Sequence, residues 1–106
     1  MRFENDDLND PRIVDSSFER YYPADVGEAP DQEGVYVLMD KTSEVFYIGA
    51  TAGNGLKNEL ASKRNTAADR ESKRCRWACA KTTDDAKSMA SDWISKYSPK
   101  NNIPAK

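Results

Sequence analysis

Apolar positions are grouped into a few blocks along the chain, and each block has its own period. From Gly34 to Gly49 two short runs, Val35-Tyr36-Val37-Leu38-Met39 and Val45-Phe46-Tyr47-Ile48, flank the polar stretch Asp40-Lys41-Thr42-Ser43. β-Branched and aromatic residues on both sides of a polar turn predict a β-hairpin. Antiparallel pairing brings the outer ends of its strands side by side, so Tyr36 and Tyr47 can line one surface. A small-residue loop, Ala50 to Gly55, follows and reads as a strand-to-helix turn. Leu56 to Arg64 is expected to be helical, with Leu56 and Leu60 at i and i+4 on one face and Lys57, Lys63 and Arg64 largely elsewhere. Asn65 to Lys73 is charged, a second short helix or a loop. Arg74 to Thr82 predicts a third strand, with Cys75, Trp77 and Cys79 on one face and Arg74, Arg76, Ala78 and Ala80 on the other.

The last block carries the strongest period. Thr82 or Thr83 can cap a helix whose first turn holds Asp84 and Asp85. Ala86, Met89, Ala90, Trp93, Ile94 and Tyr97 then recur at helical spacing up to the stop at Pro99. Upstream of the hairpin, Met1 to about Ser17 is polar and acidic. Phe18-Tyr21-Tyr22 supplies aromatics to pack as an arm, and Pro30 to Glu33 leads into the first strand. The expected fold class is α+β, a small three-stranded antiparallel sheet flanked by helices. Residues 1–29 form an acidic N-terminal arm, partly ordered, and residues 30–106 form the domain proper.

With 106 residues, 38% hydrophobic and 32% charged, the chain has room for one modest core. No apolar run is long enough to cross a membrane, and the N-terminal residues lack the pattern of a secretory signal. Cys75 and Cys79, four residues apart on a strand, would stand about 13 Å from one another, beyond disulfide reach. They read as buried small hydrophobes, and a reducing, cytoplasmic setting is expected. There is no histidine to help ligate a metal. The net charge of −2 hides an asymmetry: residues 1–33 hold ten acidic and three basic side chains, residues 34–106 eight acidic and thirteen basic. A basic half behind an acidic leader suggests a surface for DNA or RNA over residues 57–81, with a leader that opposes or regulates it, or simply a solvated face.

Gly34-Val35-Tyr36 followed by Tyr47-Ile48-Gly49 resembles the paired triplets of the GIY-YIG nuclease superfamily, in particular the N-terminal nuclease domain of the UvrC type. The turn at Pro30 to Glu33, the loop after Gly49, and the closing segment Trp93-Ile94-Ser95-Lys96-Tyr97-Ser98-Pro99-Lys100-Asn101-Asn102-Ile103 resemble that family in the same order. The resemblance implies the GIY-YIG-like fold for residues 30–106. It also implies phosphodiester hydrolysis with one divalent cation, usually magnesium or manganese: a tyrosine that helps activate water, an arginine on the first helix, a metal-binding glutamate on the late helix and an asparagine after the proline. Tyr36, Tyr47 and Asn102 match. By the family's spacing the glutamate position falls on Ala90, with Asp92 about 200° round the helix from it, and the arginine position falls on Glu59, one turn before Lys63. A hard cation wants several oxygen ligands, and a phosphate wants fixed positive charge. Both charges expected there are lost.

Two expectations result. The first is a GIY-YIG-fold protein without nuclease activity and without cofactor, binding a nucleic acid or a protein, or inhibiting a nucleic-acid-processing enzyme. Nucleic-acid contacts would come from Lys57, Arg64, Arg70, Lys73, Arg74 and Arg76, and a protein partner would meet the acidic arm and its aromatic cluster. The second is a divergent endonuclease in which Glu59 holds Mg²⁺ or Mn²⁺ and Lys63 or Arg64 supplies the positive charge. On the first expectation Tyr36 and Tyr47 can be strand aromatics kept for packing, and Asn102 can cap the turn after Pro99.

Overall fold

The computed structural model describes residues 2–17, 19–63 and 72–102. Five strands and two α-helices succeed one another as β1 (Ile13–Ser16), β2 (Arg20–Tyr21), β3 (Gly34–Met39), β4 (Val45–Ala50), α1 (Leu56–Ser62), β5 (Arg74–Ala80) and α2 (Thr83–Tyr97). Short 3-10 turns at Asn5–Leu8, Val26–Glu28 and Lys100–Asn102 complete the order. The sheet is antiparallel throughout in the order β1-β5-β3-β4, and β2 pairs with the other end of β5.

The hairpin, the third strand and both helices occupy the expected positions, in an α+β fold. The sheet has five strands and not three, because the N-terminal arm adds β1 and β2 along the outer side of β5. Their partners are distant: Ile13 faces Ala80, Ser16 faces Ala78, and Arg20 faces Cys75. Without the arm, the outer backbone groups of β5 would lack ladder partners, and buried backbone groups need them. The hairpin turn is held by Asp40, whose carboxylate accepts from the Thr42 N–H, the Thr42 hydroxyl and the Glu44 N–H. These bonds hold the Asp40 carboxyl below its ordinary value, the Thr42 hydroxyl contributing most.

Each face of the sheet carries its own apolar layer. On one face Val35, Val37, Met39, Val45, Ile48, Ala78 and Ala80 pack against Ala86, Met89, Ala90, Trp93 and Tyr97 of α2. The pairing register shifts between Leu38 and Met39, which lets Val45 and Ile48, three apart in sequence, reach the same layer. On the other face Tyr36, Leu38, Cys75, Trp77 and Cys79 pack with Leu56 and Leu60 of α1 and with Tyr22 and Ala29. Trp77 is therefore a core residue. The Thr82 hydroxyl accepts from the Asp85 N–H and caps α2. Ser98, in the left-handed conformation, ends the helix.

Of the arm's expected aromatic cluster, Tyr22 packs into the layer with α1 and Tyr21 does not. Tyr22 is buried, Tyr21 is 65% exposed, and Phe18 lies outside the described residues. Tyr21 ends β2 with its side chain exposed, and Tyr22 follows outside the strand with its side chain in the core. Phe3 does part of that work: its ring lies 5.2 Å from Trp93 and 5.6 Å from Tyr97, and Leu8 and Ile13 join the same layer. The Glu4 N–H donates to the Tyr97 hydroxyl, which itself donates to Asp7. The Asn65–Lys73 segment falls almost wholly outside the described residues, as do Arg64, Arg70 and Ile103.

Candidate functional site

Tyr36 and Tyr47 come together on the α1 face of the sheet, their ring centroids 6.1 Å apart. Register explains this: Tyr36 pairs with Gly49 and Tyr47 with Leu38, so the two rings lie diagonally on one face. Gly49 is required for the arrangement. A Cβ there would lie 2.3 Å from the Tyr36 hydroxyl oxygen and 2.4 Å from its Cζ, so the ring rests on bare backbone. Gly34, at the other triplet, is similarly closed in: a Cβ would come 2.2 Å from the carbonyl oxygen of Ala78. Its N–H donates to the Thr51 hydroxyl and its carbonyl accepts from the Thr51 N–H, both at 2.9 Å, which anchors the loop into α1.

The Tyr36 ring is fully buried, and its hydroxyl donates to Glu59 Oε2 at 2.8 Å. Burial first, then the neighbouring Tyr47 and the Glu59 charge, push the Tyr36 phenol far above its ordinary value. It is held as a proton donor, not as a phenolate. Glu59 projects from the middle of α1 and accepts from two further groups. Asn54 Nδ2 donates to Oε1 at 3.1 Å, and Lys63 Nζ, one helical turn on, stands 3.4 Å from Oε2. Burial would raise the Glu59 carboxyl, but the hydrogen bonds from Asn54 and Tyr36 and the Lys63 charge outweigh it and hold the carboxyl below its ordinary value. The Lys63 ammonium also lies 5.4 Å from the centre of the Tyr47 ring. Asn54 was not apparent in the sequence; its position just before Gly55 and the first turn of α1 is the one signal that could have marked it. Asn58 Nδ2 donates to the Asn54 carbonyl at 2.9 Å and holds that segment.

Asn102 takes a different place. Its Oδ1 accepts from the Ile48 N–H and its Nδ2 donates to the Ile48 carbonyl, both at 2.7 Å. The side-chain amide thus copies a strand residue at the outer edge of β4. Ala90 is buried under α2, within the layer opposite the tyrosines, and the exposed Asp92 accepts from Arg12 at 3.0 Å. Among the described residues no group of three or more His, Cys, Asp or Glu is placed to hold a metal ion. The oxygens beside the tyrosines come from one carboxylate already shared by three donors, from phenols and from an amide. That donor set does not fit a Mg²⁺ or Mn²⁺ ion, which needs near-octahedral oxygen coordination.

The basic residues expected to meet nucleic acid are distributed unevenly. Arg74 Nη1 pairs with Glu19 at 3.0 Å and its guanidinium lies 5.6 Å from the Tyr21 ring; Arg76 Nη1 donates to Asn5 at 2.7 Å beside Phe3. Lys57 is exposed on α1 and Lys73 is exposed just before β5. Arg64 and Arg70 lie outside the described residues.

Residues 17–96 match the model of a domain family of unknown function, DUF7508. The chain belongs to the DUF7508 family. This DUF7508 chain is also similar to the GIY-YIG N-terminal endonuclease domain of UvrC from Thermotoga maritima bound to its catalytic divalent cation, magnesium. The two share 26% identity with a TM-score of 0.66 over 76% of this chain and 93% of that one. A tyrosine-to-phenylalanine point mutant of that domain, also cation-bound, matches at 25% identity with the same TM-score and coverage. An asparagine-to-alanine mutant matches at 24%, again with a TM-score of 0.66. The fold of the DUF7508 chain is therefore GIY-YIG-like. No curated protein matches its sequence. No helix among the described residues is long and apolar enough to cross a membrane.

Proposed function

We propose that this chain is a GIY-YIG-fold module that binds a nucleic acid without cutting it. One observation carries the reading: the Glu59 carboxylate, at the position where the resemblance implies a phosphate-binding arginine, is consumed by Tyr36, Asn54 and Lys63. A carboxylate fixed there repels a phosphodiester, and its own lone pairs are spent on the protein. Tyr36, held protonated against Glu59, does not serve as the base that activates water. The tyrosines, Glu59 and Lys63 then act as a polar core that fixes the hairpin against α1.

Several features favour nucleic acid over a protein partner held by the acidic arm. Glu4 and Asp7 of that arm are paired with Lys96 and Glu19 with Arg74, so these carboxylates are turned onto the domain, while Asp10 and Glu28 are paired within the arm with Arg12 and Arg20. The competing reading, a divergent endonuclease, draws on the Lys63 ammonium lying close to both Glu59 and the Tyr47 ring. It requires Glu59 to release Tyr36 and Asn54 before ligating a cation.

Incubation of supercoiled plasmid and labelled single-stranded DNA with Mg²⁺ or Mn²⁺ separates the two, using the wild type, Tyr47→Phe and Glu59→Ala. The expected result is no cutting by any of the three. Metal-dependent cutting by the wild type that disappears in Glu59→Ala overturns the reading and makes Glu59 a relocated metal ligand.

A further inference from the structure

Among the described residues, Lys73 of the basic 57–81 stretch is joined by two lysines from outside that stretch. Among the described residues Arg12, Arg20, Arg74 and Lys96 are each paired with carboxylates, and Lys63 is paired with Glu59. Lys81 lines a groove together with Asp31 and Glu33, which offset it. A different cavity of about 460 Å³, at the turn end of the β3–β4 hairpin, is lined by Lys41, Lys73 and Lys100 around Phe46, with Asp40 and Thr42. The three lysines come from separate parts of the chain: the hairpin turn, the entry to β5 and the 3-10 turn after α2. All three are exposed, and no carboxylate among the described residues pairs with Lys41 or Lys73. Among the described residues the acidic member of the cavity lining is Asp40, whose Oδ1 accepts from the Thr42 N–H, the Thr42 hydroxyl and the Glu44 N–H and is thereby engaged in the turn. A second groove of about 440 Å³ shares Asp40, Phe46 and Lys100 with the first, adds Glu44, and continues along β4 towards Ser98.

We propose that this three-lysine groove takes the phosphate backbone of a nucleic acid, as the binding surface of the non-cutting module on whose reading it rests. Three ammonium point charges around an elongated groove suit a chain of phosphates, each of which releases condensed counterions on contact. Phe46 is buried and forms the floor, so the groove carries no stacking platform and reads no base. It lies away from Glu59, whose charge would otherwise repel the same ligand. Arg74 and Arg76, held by the arm, lie outside it.

The test is fluorescence anisotropy of the full chain against a labelled 20-mer, single-stranded and as duplex, between 50 and 200 mM salt, on the order of the range over which such contacts titrate. The wild type is expected to bind both forms with a steep salt slope. Lys41→Gln/Lys73→Gln/Lys100→Gln is expected to lose affinity tenfold or more, with a slope shallower by about 2–3. Arg74→Gln/Arg76→Gln is expected to stay within about twofold, as contacts not made on the nucleic acid. Unchanged thermal unfolding of the lysine variant excludes a folding defect. Equal binding by wild type and lysine variant overturns the groove, and so does failure of the wild type to bind either form. Retention of polyglutamate but not DNA overturns it in favour of an acidic protein. Equal binding by wild type and lysine variant fails the groove alone, failure of the wild type to bind DNA fails the nucleic-acid-binding reading with it, and metal-dependent cutting refutes the non-cutting part separately.

Discussion

If the Glu59 carboxylate is a structural hub, its removal should destabilise the domain, and the loss should be shared with Tyr36. Glu59→Ala leaves the Tyr36 hydroxyl without its acceptor at a ring that is fully buried. An orphaned buried hydroxyl costs about 1–3 kcal/mol, and the loss of the partly buried Lys63 pair adds about 1 kcal/mol. The expected cost is therefore about 2 kcal/mol, or a melting temperature lower by about 8–15 °C for a domain of this size. Tyr36→Phe removes donor and penalty together, so the double variant should cost less than the sum of the singles, with a coupling of about 1–2 kcal/mol. Urea unfolding of the four proteins, followed by tryptophan fluorescence, measures this directly. Acid gives an independent check. The Glu59 carboxyl sits below its unfolded value, so its contribution is fully present above pH about 4.5 and is lost as the pH falls through the lower folded value. The gap between wild type and Glu59→Ala should therefore narrow in that acid window. Additive single costs, or a Glu59→Ala protein as stable as wild type, refute the hub; a stabilised variant is what a strained active-site carboxylate would give.

Three further outcomes are expected. Gly49→Ala forces a methyl into the Tyr36 ring and should cost about 1–3 kcal/mol, read as a lower melting temperature. Trp93→Ala empties the layer between α2 and the sheet and should cost about 3–5 kcal/mol; an unchanged unfolding midpoint would show that the helix is misplaced. Cys75 and Cys79 are buried free thiols, and burial pushes Cys75 up to about 12. Ellman's reagent at pH 8 should therefore label them only as fast as the domain opens, and immediate labelling of both would contradict their burial.

Much of this architecture is legible in the sequence where burial imposes a period. The α2 stripe, the Leu56–Leu60 pair and the alternation of Cys75, Trp77 and Cys79 each record one face in contact with the core. The arm's strands are not legible, because β1 and β2 are edge pieces of four and two residues whose side chains are largely exposed. They are strands by virtue of the backbone groups β5 offers them, which leaves no mark on their own pattern. Hairpin spacing pairs the tyrosines and helical spacing pairs Glu59 with Lys63, whereas the meeting of the two pairs is what the GIY-YIG resemblance implies. What spacing cannot convey is that Asn54 shares the carboxylate, or that Asn102 spends both halves of its amide on the edge of β4. The groove at the hairpin end escapes any linear window, since Lys41, Lys73 and Lys100 are about thirty residues apart.

The position of β5 also dictates an order of assembly. This strand lies between β1 and β3 and pairs with the arm, yet it is the last strand to be synthesised. The hairpin can close once β4 has left the ribosome, whereas the arm must wait until some sixty more residues have followed it before Ile13 can meet Ala80. During that interval the nascent chain carries Glu4, Asp7 and Glu19 without their partners Lys96 and Arg74, and the sheet closes only when β5 slots in between elements made long before it.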